Sequence, residues 1–460
     1  VIGFEPDIDP STQGALQAVT NGLPTIRGII GAPTPVNTIW FPDGGSRGCA
    51  TVETLSSGAK KYIGQGNYLF ELNGAGMALV GTGMSLGTGR IIFTTFGNAV
   101  LSCNGADGAG IVASTGGTFA GISSSPSAAI IESVGLQVLA FDCREGTDHL
   151  PDQWWASALG DYTNWTPNIT TQAANGRFLD SSGGVTAAKR ISGGIIAYKK
   201  RSMYYGQYVG GDVIWQWSQV ATNIGCIGVD AVCNAGGAHY FVGADDIYTY
   251  DGSSPRSIGM GIKRWFFADA DPNHIHRVIA VHDRNDDHVY FWYSSIAQSG
   301  TTKDGWFDKA IVYNMLTGKW GIANGLYQDI MTYQQGTDTL SVVGFDATLP
   351  APYSGYVVQN LTGACATASI TTWSIGDDDA YSRLQLVRPR FVSDPTTATM
   401  THYHKSGLGE AWQAGLTDTV TDHKCNFSYS DRYHRLKLDV TGDYELTDII
   451  ITEQTSNGRR

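Results

Sequence analysis

From about Tyr62 to Val358 the chain repeats one unit, in which an aromatic-rich strand ends in a polar, Gly-containing turn and another strand follows. The clearest copies are Tyr62 to Leu72 running into Asn73 and Gly74, and Val100 to Cys103 into Asn104 and Gly105. His239 to Tyr250 running into Asp251 and Gly252, and Ile311 to Asn314 into Thr317 and Gly318, complete the set. Such turns suit residues with positive φ. Their return at intervals near the roughly 40 to 50 residues of a four-stranded blade predicts an all-β chain built on a β-propeller.

A propeller grows by adding blades, so 460 residues do not require several domains. With 58 glycines, 11% aromatic and 16% charged residues, the chain has the profile of many short strands with half-buried faces, and not of disorder. A formal charge of −12 argues against gripping nucleic acid by its phosphates, which needs clustered Lys and Arg. The same charge suits a wall past which DNA slides. The seven cysteines are odd in number, scattered and without a C-x-x-C pair, which predicts neither a disulfide framework nor a zinc site. No run of about eighteen apolar residues occurs, so no membrane span is expected. The first ten residues carry no basic-then-apolar pattern, so no cleaved export signal is expected.

Residues 1–48 hold six prolines by position 45 and read as an extended arm lying across a larger body, with one short helix around Gln13 to Thr20. Residues 49–379 read as the propeller. Within them Ile258, Ile262, Trp265 and Phe266 share a helical face and predict a short inserted helix, and Ser294 to Asp304 reads as an exposed loop. From 380 to 460 apolar and charged residues alternate cleanly, as in Arg435 to Val440. That predicts a separate β-sandwich-like module entered through Asp377 to Asp379.

Few motifs carry chemistry. Gly81 to Arg90 is glycine-rich but lacks the Lys-Ser/Thr ending of a phosphate loop. Asp283 to Asp287 has calcium-loop spacing, yet His288 stands where the sharp-turn glycine belongs and no closing Glu follows. His274 with His276, and His402 with His404, each place two imidazoles on one side of a strand without a third ligand in sequence. The acidic pairs Asp245–Asp246 and Asp286–Asp287 read as solvated turn acids. The glycosylation-type sequons at Asn164, Asn168 and Asn426 occur at about chance frequency. Trp154, Trp155, Tyr162 and Trp165 suit packing between blades, with sugar stacking as the alternative. No residue is assigned to catalysis, cofactor binding or metal binding, no cofactor is expected, and the chain is not read as an enzyme.

The order of segments from about 150 to 453 resembles the tail hub, or nozzle, proteins of short-tailed bacteriophages. The matching stretches are Trp155 to Ser157, Asp161 to Trp165, Gly194 to Tyr205, Val213 to Trp217, Gly225 to Gly228 and His239 to Gly252. The helix near Ile258 to Trp265, Ala310 to Asn314, Thr317 to Trp320 and the closing strands Arg432 to Ile451 continue the match. The resemblance implies a homohexameric ring below the portal and adaptor (the head-to-tail connector), forming the distal channel for DNA ejection. It also implies partners in a plug, needle, spike or fibre protein, contact with genomic double-stranded DNA without sequence recognition, and residence in the virion after assembly in the host bacterial cytoplasm. No site residue transfers individually. Two other readings stay open: a propeller glycoside hydrolase using two facing carboxylates, and a carbohydrate-binding adhesin using Trp154, Trp155 and Trp165.

Overall fold

The computed structural model describes residues 2–41, 45–73, 76–82, 89–105, 110–333, 340–346 and 355–456. Almost all regular structure is β, and the strand pairing defines a β-propeller with seven blades among the described residues. Blade 1 runs outward through Ser46–Val52, Lys60–Gln65, Tyr68–Asn73 and Gly76–Gly81. Blade 2 begins at Ile92–Phe96, blade 3 at Ser127–Val134, blade 4 at Val185–Ile191, blade 5 at Val232–Ala235 and blade 6 at Ile279–Asp283. Each then adds three antiparallel strands in chain order. Glycine supplies the positive φ at the turns, as at Gly105 (63°), Gly252 (98°) and Gly318 (68°), positions at which a Cβ would be strained. Gly74 lies outside the described residues.

Blade 7 closes the ring with strands from both halves of the chain. Asp329–Ile330, Ser341–Asp346 and Gly355–Cys365 supply its inner three strands, and Pro33–Phe41 pairs antiparallel along the last of them. Thr332–Tyr333 also pairs in parallel with Ser46–Val52 of blade 1, so neighbouring blades are joined by backbone hydrogen bonds as well as by packing. Residues 33–41, read as part of an extended arm lying across the body, are therefore a strand of the propeller itself. Pro33 and Pro35 sit on an outermost edge strand, the position in a sheet that tolerates residues without an N–H.

Two further expectations change in the same region. Gln13 to Thr20 is not helical but contributes the short strands Ala15–Leu16 and Ala18–Thr20, the latter paired with Ala368–Thr371. The sandwich therefore starts at Ala368, before position 380, and includes N-terminal chain. One sheet combines Ala18–Thr20, Ala368–Thr371, Tyr433–Thr441, Thr397–Lys405 and Gln413–Thr419. The facing sheet combines Gly22–Pro24, Ile29–Gly31, Glu445–Ser456, Ser382–Ser393 and Cys425–Asp431. Leu384, Val387, Met400, Phe427, Leu436, Leu438, Val440 and Leu446 fill the space between them. Along Arg435 to Val440 the apolar residues are buried and the charged ones half-buried, as the alternation predicts.

The second sandwich sheet is continuous with blade 6, because Gly22 pairs with Ile322 of the outer strand Trp320–Tyr327. The Pro24 carbonyl accepts hydrogen bonds from His288 Nε2 at 2.5 Å and Asn314 Nδ2 at 3.1 Å, both buried. Further toward the terminus, Phe4 packs edge-on against Trp265 at 4.9 Å and Glu5 pairs with Lys319 at 3.0 Å. The inserted helix forms at Lys263–Asp269, five residues after its apolar pattern begins at Ile258. No side chain at its own cap closes it. Instead the Asp7 carboxylate accepts the backbone N–H groups of Arg264 (2.6 Å) and Trp265 (3.0 Å), doing the work of an N-cap from a distant segment.

Candidate functional site

The inner strands of blades 3 to 6 carry side chains toward the propeller axis. Glu132, Lys189, Arg190, Asp230, Asn234, His282, Arg284 and Thr332 help to line an axial cavity of about 260 Å³. Glu132 is almost fully buried, 3.5 Å from Lys189 Nζ and 3.9 Å from Arg190 Nε. Beside it, Arg90 donates to Asp230 at 2.6 Å and to both oxygens of Asp329 at 2.8 Å. One guanidinium thus ties the start of blade 2 to blade 5 and to blade 7. Burial pulls the Arg90 pKa down, but the charges of Asp329 and Asp230 outweigh it, and the net direction is up.

A second, larger cavity of about 750 Å³ opens on the face carrying the turns between first and second strands. Phe96, Leu136, Leu159, Tyr208 and Trp215 line it, with Glu53 and Arg190 among its few charged groups. Leu55 and Leu136 at its rim are 86% and 63% exposed and form an apolar edge to it. Trp215 Nε1 donates to Gln137 Oε1 at 3.0 Å, which fixes the indole that forms its floor.

The motifs singled out in the sequence fall mostly into structural roles. Positions 83–88 of the glycine-rich loop lie outside the described residues. Asp283 to Asp287 forms the hairpin turn of blade 6, where Asp283 Oδ1 accepts the N–H of Asn285 and Asp287 takes φ 53°. Asn164 and Asn168 each accept a backbone N–H two residues on, from Thr166 and Thr170. His274 and His276 are not on a strand but in and before the 3₁₀ turn Ile275–Arg277. The turn separates them, and His274 Nδ1 instead meets Asp271 at 2.8 Å, with Asp304 at 3.7 Å. Trp165 is fully buried with its Nε1 donating to the Tyr162 carbonyl, and Trp154 packs against Trp217 at 5.5 Å. These indoles are used in packing.

His402 and His404 do share one strand face, and both are buried. A third imidazole, His434, comes from the neighbouring strand and lies 2.8 Å from His402 Nε2, while His404 Nδ1 meets Asp431 at 2.8 Å. His434 Nε2 lies 3.1 Å from the Ser382 carbonyl and 3.0 Å from its hydroxyl. Donation to that carbonyl assigns His434 Nδ1 as the acceptor of His402 Nε2–H. His402 Nδ1 then has no hydrogen-bond partner. Burial, with the charges of His434 and His404 next, lowers the His402 pKa to about 3. That donor pattern makes His402 and His434 a hydrogen-bonded pair of core imidazoles.

The axial cavity is the feature that sequence reading did not anticipate. Its residues come from five separate strands and two connecting segments, and no local pattern distinguishes an inward-facing charge from a solvated one. No family model matches the chain, and no curated protein sequence matches it. Among solved structures, a streptogramin B lyase is 10% identical over 70% of this chain and 96% of that one, with a TM-score of 0.44. The Pan2 WD40 domain of Neurospora crassa is 9% identical over 72% and 98%, with a TM-score of 0.41. Apo AztD from Citrobacter koseri is 9% identical over 68% and 89%, with a TM-score of 0.37. At that distance the fold assignment rests on the strand pairing described above.

Proposed function

We propose that this chain is a structural subunit of a phage tail hub, assembling as a homohexameric ring on the adaptor and holding the plug, needle or fibres. The observation that carries the reading is the order of segments from about 150 to 453, which resembles that family. The propeller and the sandwich share one continuous nine-stranded sheet, a rigid construction that suits a load-bearing wedge. The exposed Leu55 and Leu136 around the turn-face cavity suit contact between protein surfaces.

One geometric consequence follows for DNA. The axial cavity of about 260 Å³ is filled at its side by the Arg90 network, and a B-form duplex has a major groove alone about 12 Å wide. A duplex therefore runs along the axis of the ring, between subunits, and not through any one propeller. Electron microscopy of the purified chain mixed with its adaptor tests the proposal. Sixfold rings are expected, while a stable dimer, or a monomer that ignores the adaptor, overturns it.

A further inference from the structure

We propose that the turn-face cavity binds an apolar amine, a ligand with a protonated amino group at one end and a hydrocarbon or aromatic body. Its volume of about 750 Å³ lies inside the range of about 300 to 1,000 Å³ typical of small-molecule sites. The two sides of the cavity differ in chemistry. Blades 3 and 4 contribute Leu136, Leu159, Tyr208 and Trp215, an apolar wall with two aromatic rings. Blades 1 and 2 contribute Glu53 and Thr95, and neither side chain makes a hydrogen bond or an ion pair within the chain. Both can be reached. Glu53 is half-buried, and the Thr95 hydroxyl, on a residue 8% exposed, is not closed off from water. The Leu55 N–H donates to the Gly97 carbonyl at 3.3 Å, and Glu53 and Thr95 each stand two residues earlier, on neighbouring segments of the wall.

The other polar side chains of the lining are already engaged. Gln137 donates to the carbonyls of Ser157 and Gln172 and accepts from Trp215, Tyr208 donates to Gln172, and Ser133 meets Thr94. Arg190, the cation of the lining, has Glu132 in ion-pair range at 3.9 Å. The unanswered charge is therefore negative, and beside it stands a hydroxyl oxygen that can accept. An ammonium gives N–H donors to both and balances the carboxylate, while its body replaces water against the leucines and rings. A neutral alcohol leaves Glu53 without a counter-charge, and an acid is repelled by it.

Isothermal titration of the full chain with 4-phenylbutylamine, 4-phenylbutan-1-ol and 4-phenylbutyrate, which share one skeleton, reads the charge preference. The amine is expected to bind at least about tenfold more tightly than the alcohol, and the carboxylate most weakly of the three. Glu53→Gln should bring the amine to within about threefold of the alcohol and leave the alcohol unchanged. Glu53 has no partner in the fold to lose, and the melting temperature of the variant checks that it folds. Leu136→Ser, at the exposed rim, should weaken amine and alcohol together. No binding of any of the three at about 5 mM would overturn the proposal. A carboxylate bound as tightly as the amine, or a Glu53→Gln variant that keeps the preference for the amine, would do the same. None of these results bears on whether the chain forms sixfold rings.

Discussion

Replacing Arg90 with Met should be among the most damaging single changes available to this propeller. Its guanidinium is 22% exposed, and the carboxylates it holds, Asp230 and Asp329, are 8% and 1% exposed. The substitution keeps most of the aliphatic stem but leaves two buried carboxylates without their shared cation. Removing one partner of a buried pair costs about 3 to 5 kcal/mol, because the desolvation penalty of the remaining charge is no longer offset. The three groups also join blades that are distant in sequence, so the loss falls on ring closure and not on a single blade. Equilibrium unfolding in urea reads the effect. With a slope of about 3 kcal/mol per molar, the midpoint should fall by about 1 M or somewhat more. Arg90→Met combined with Asp230→Asn and Asp329→Asn should recover part of that loss, since neutral amides are far cheaper to bury than carboxylates. A single variant within about 1 kcal/mol of the parent would refute the reasoning, because it would place the network on the scale of a surface ion pair.

Three further outcomes are expected. The chain should lose stability as pH falls from 6.5, because burial first of all lowers the pKa of His402 to about 3 and of His239 to about 4. A His with a depressed folded pKa binds fewer protons than the unfolded chain in that window, so each contributes a loss of about 2 kcal/mol by pH 5, and melting curves at pH 7.5 and 5.0 would show it. Asp7→Ala should cost about 1 kcal/mol by removing the remote cap of the Lys263–Asp269 helix, and limited proteolysis near residues 1–16 should speed up accordingly. In the native state no cysteine should react rapidly with an aromatic disulfide reagent at pH 8. Burial raises Cys226, Cys233 and Cys425 to about 12 and the half-buried Cys365 to about 11, whereas all seven should react once the chain is unfolded.

Local patterns alone carry a large part of this protein. Alternation along Arg435 to Val440, the aromatic run Val289 to Tyr293 and the glycine turns at 105, 252 and 318 define strands and hairpins, because a period of two and a positive φ are properties of adjacent residues. The same information is silent on partners far along the chain. That Pro33–Phe41 completes the blade formed by Gly355–Cys365, and that Gly22–Gly31 belongs to the sandwich, depends on which strand edges remain open once the ring is assembled. His402 and His404 sharing a face was legible from their spacing, but the third imidazole arrived from a neighbouring strand, in a register no spacing rule supplies. Arg90 meets Asp230 and Asp329 across 140 and 239 residues. Repetition along the sequence therefore decides that blades form. Only three-dimensional closure decides which charges face the axis, because burial, and with it the need for a partner, is a property of the packed ring and not of any one strand.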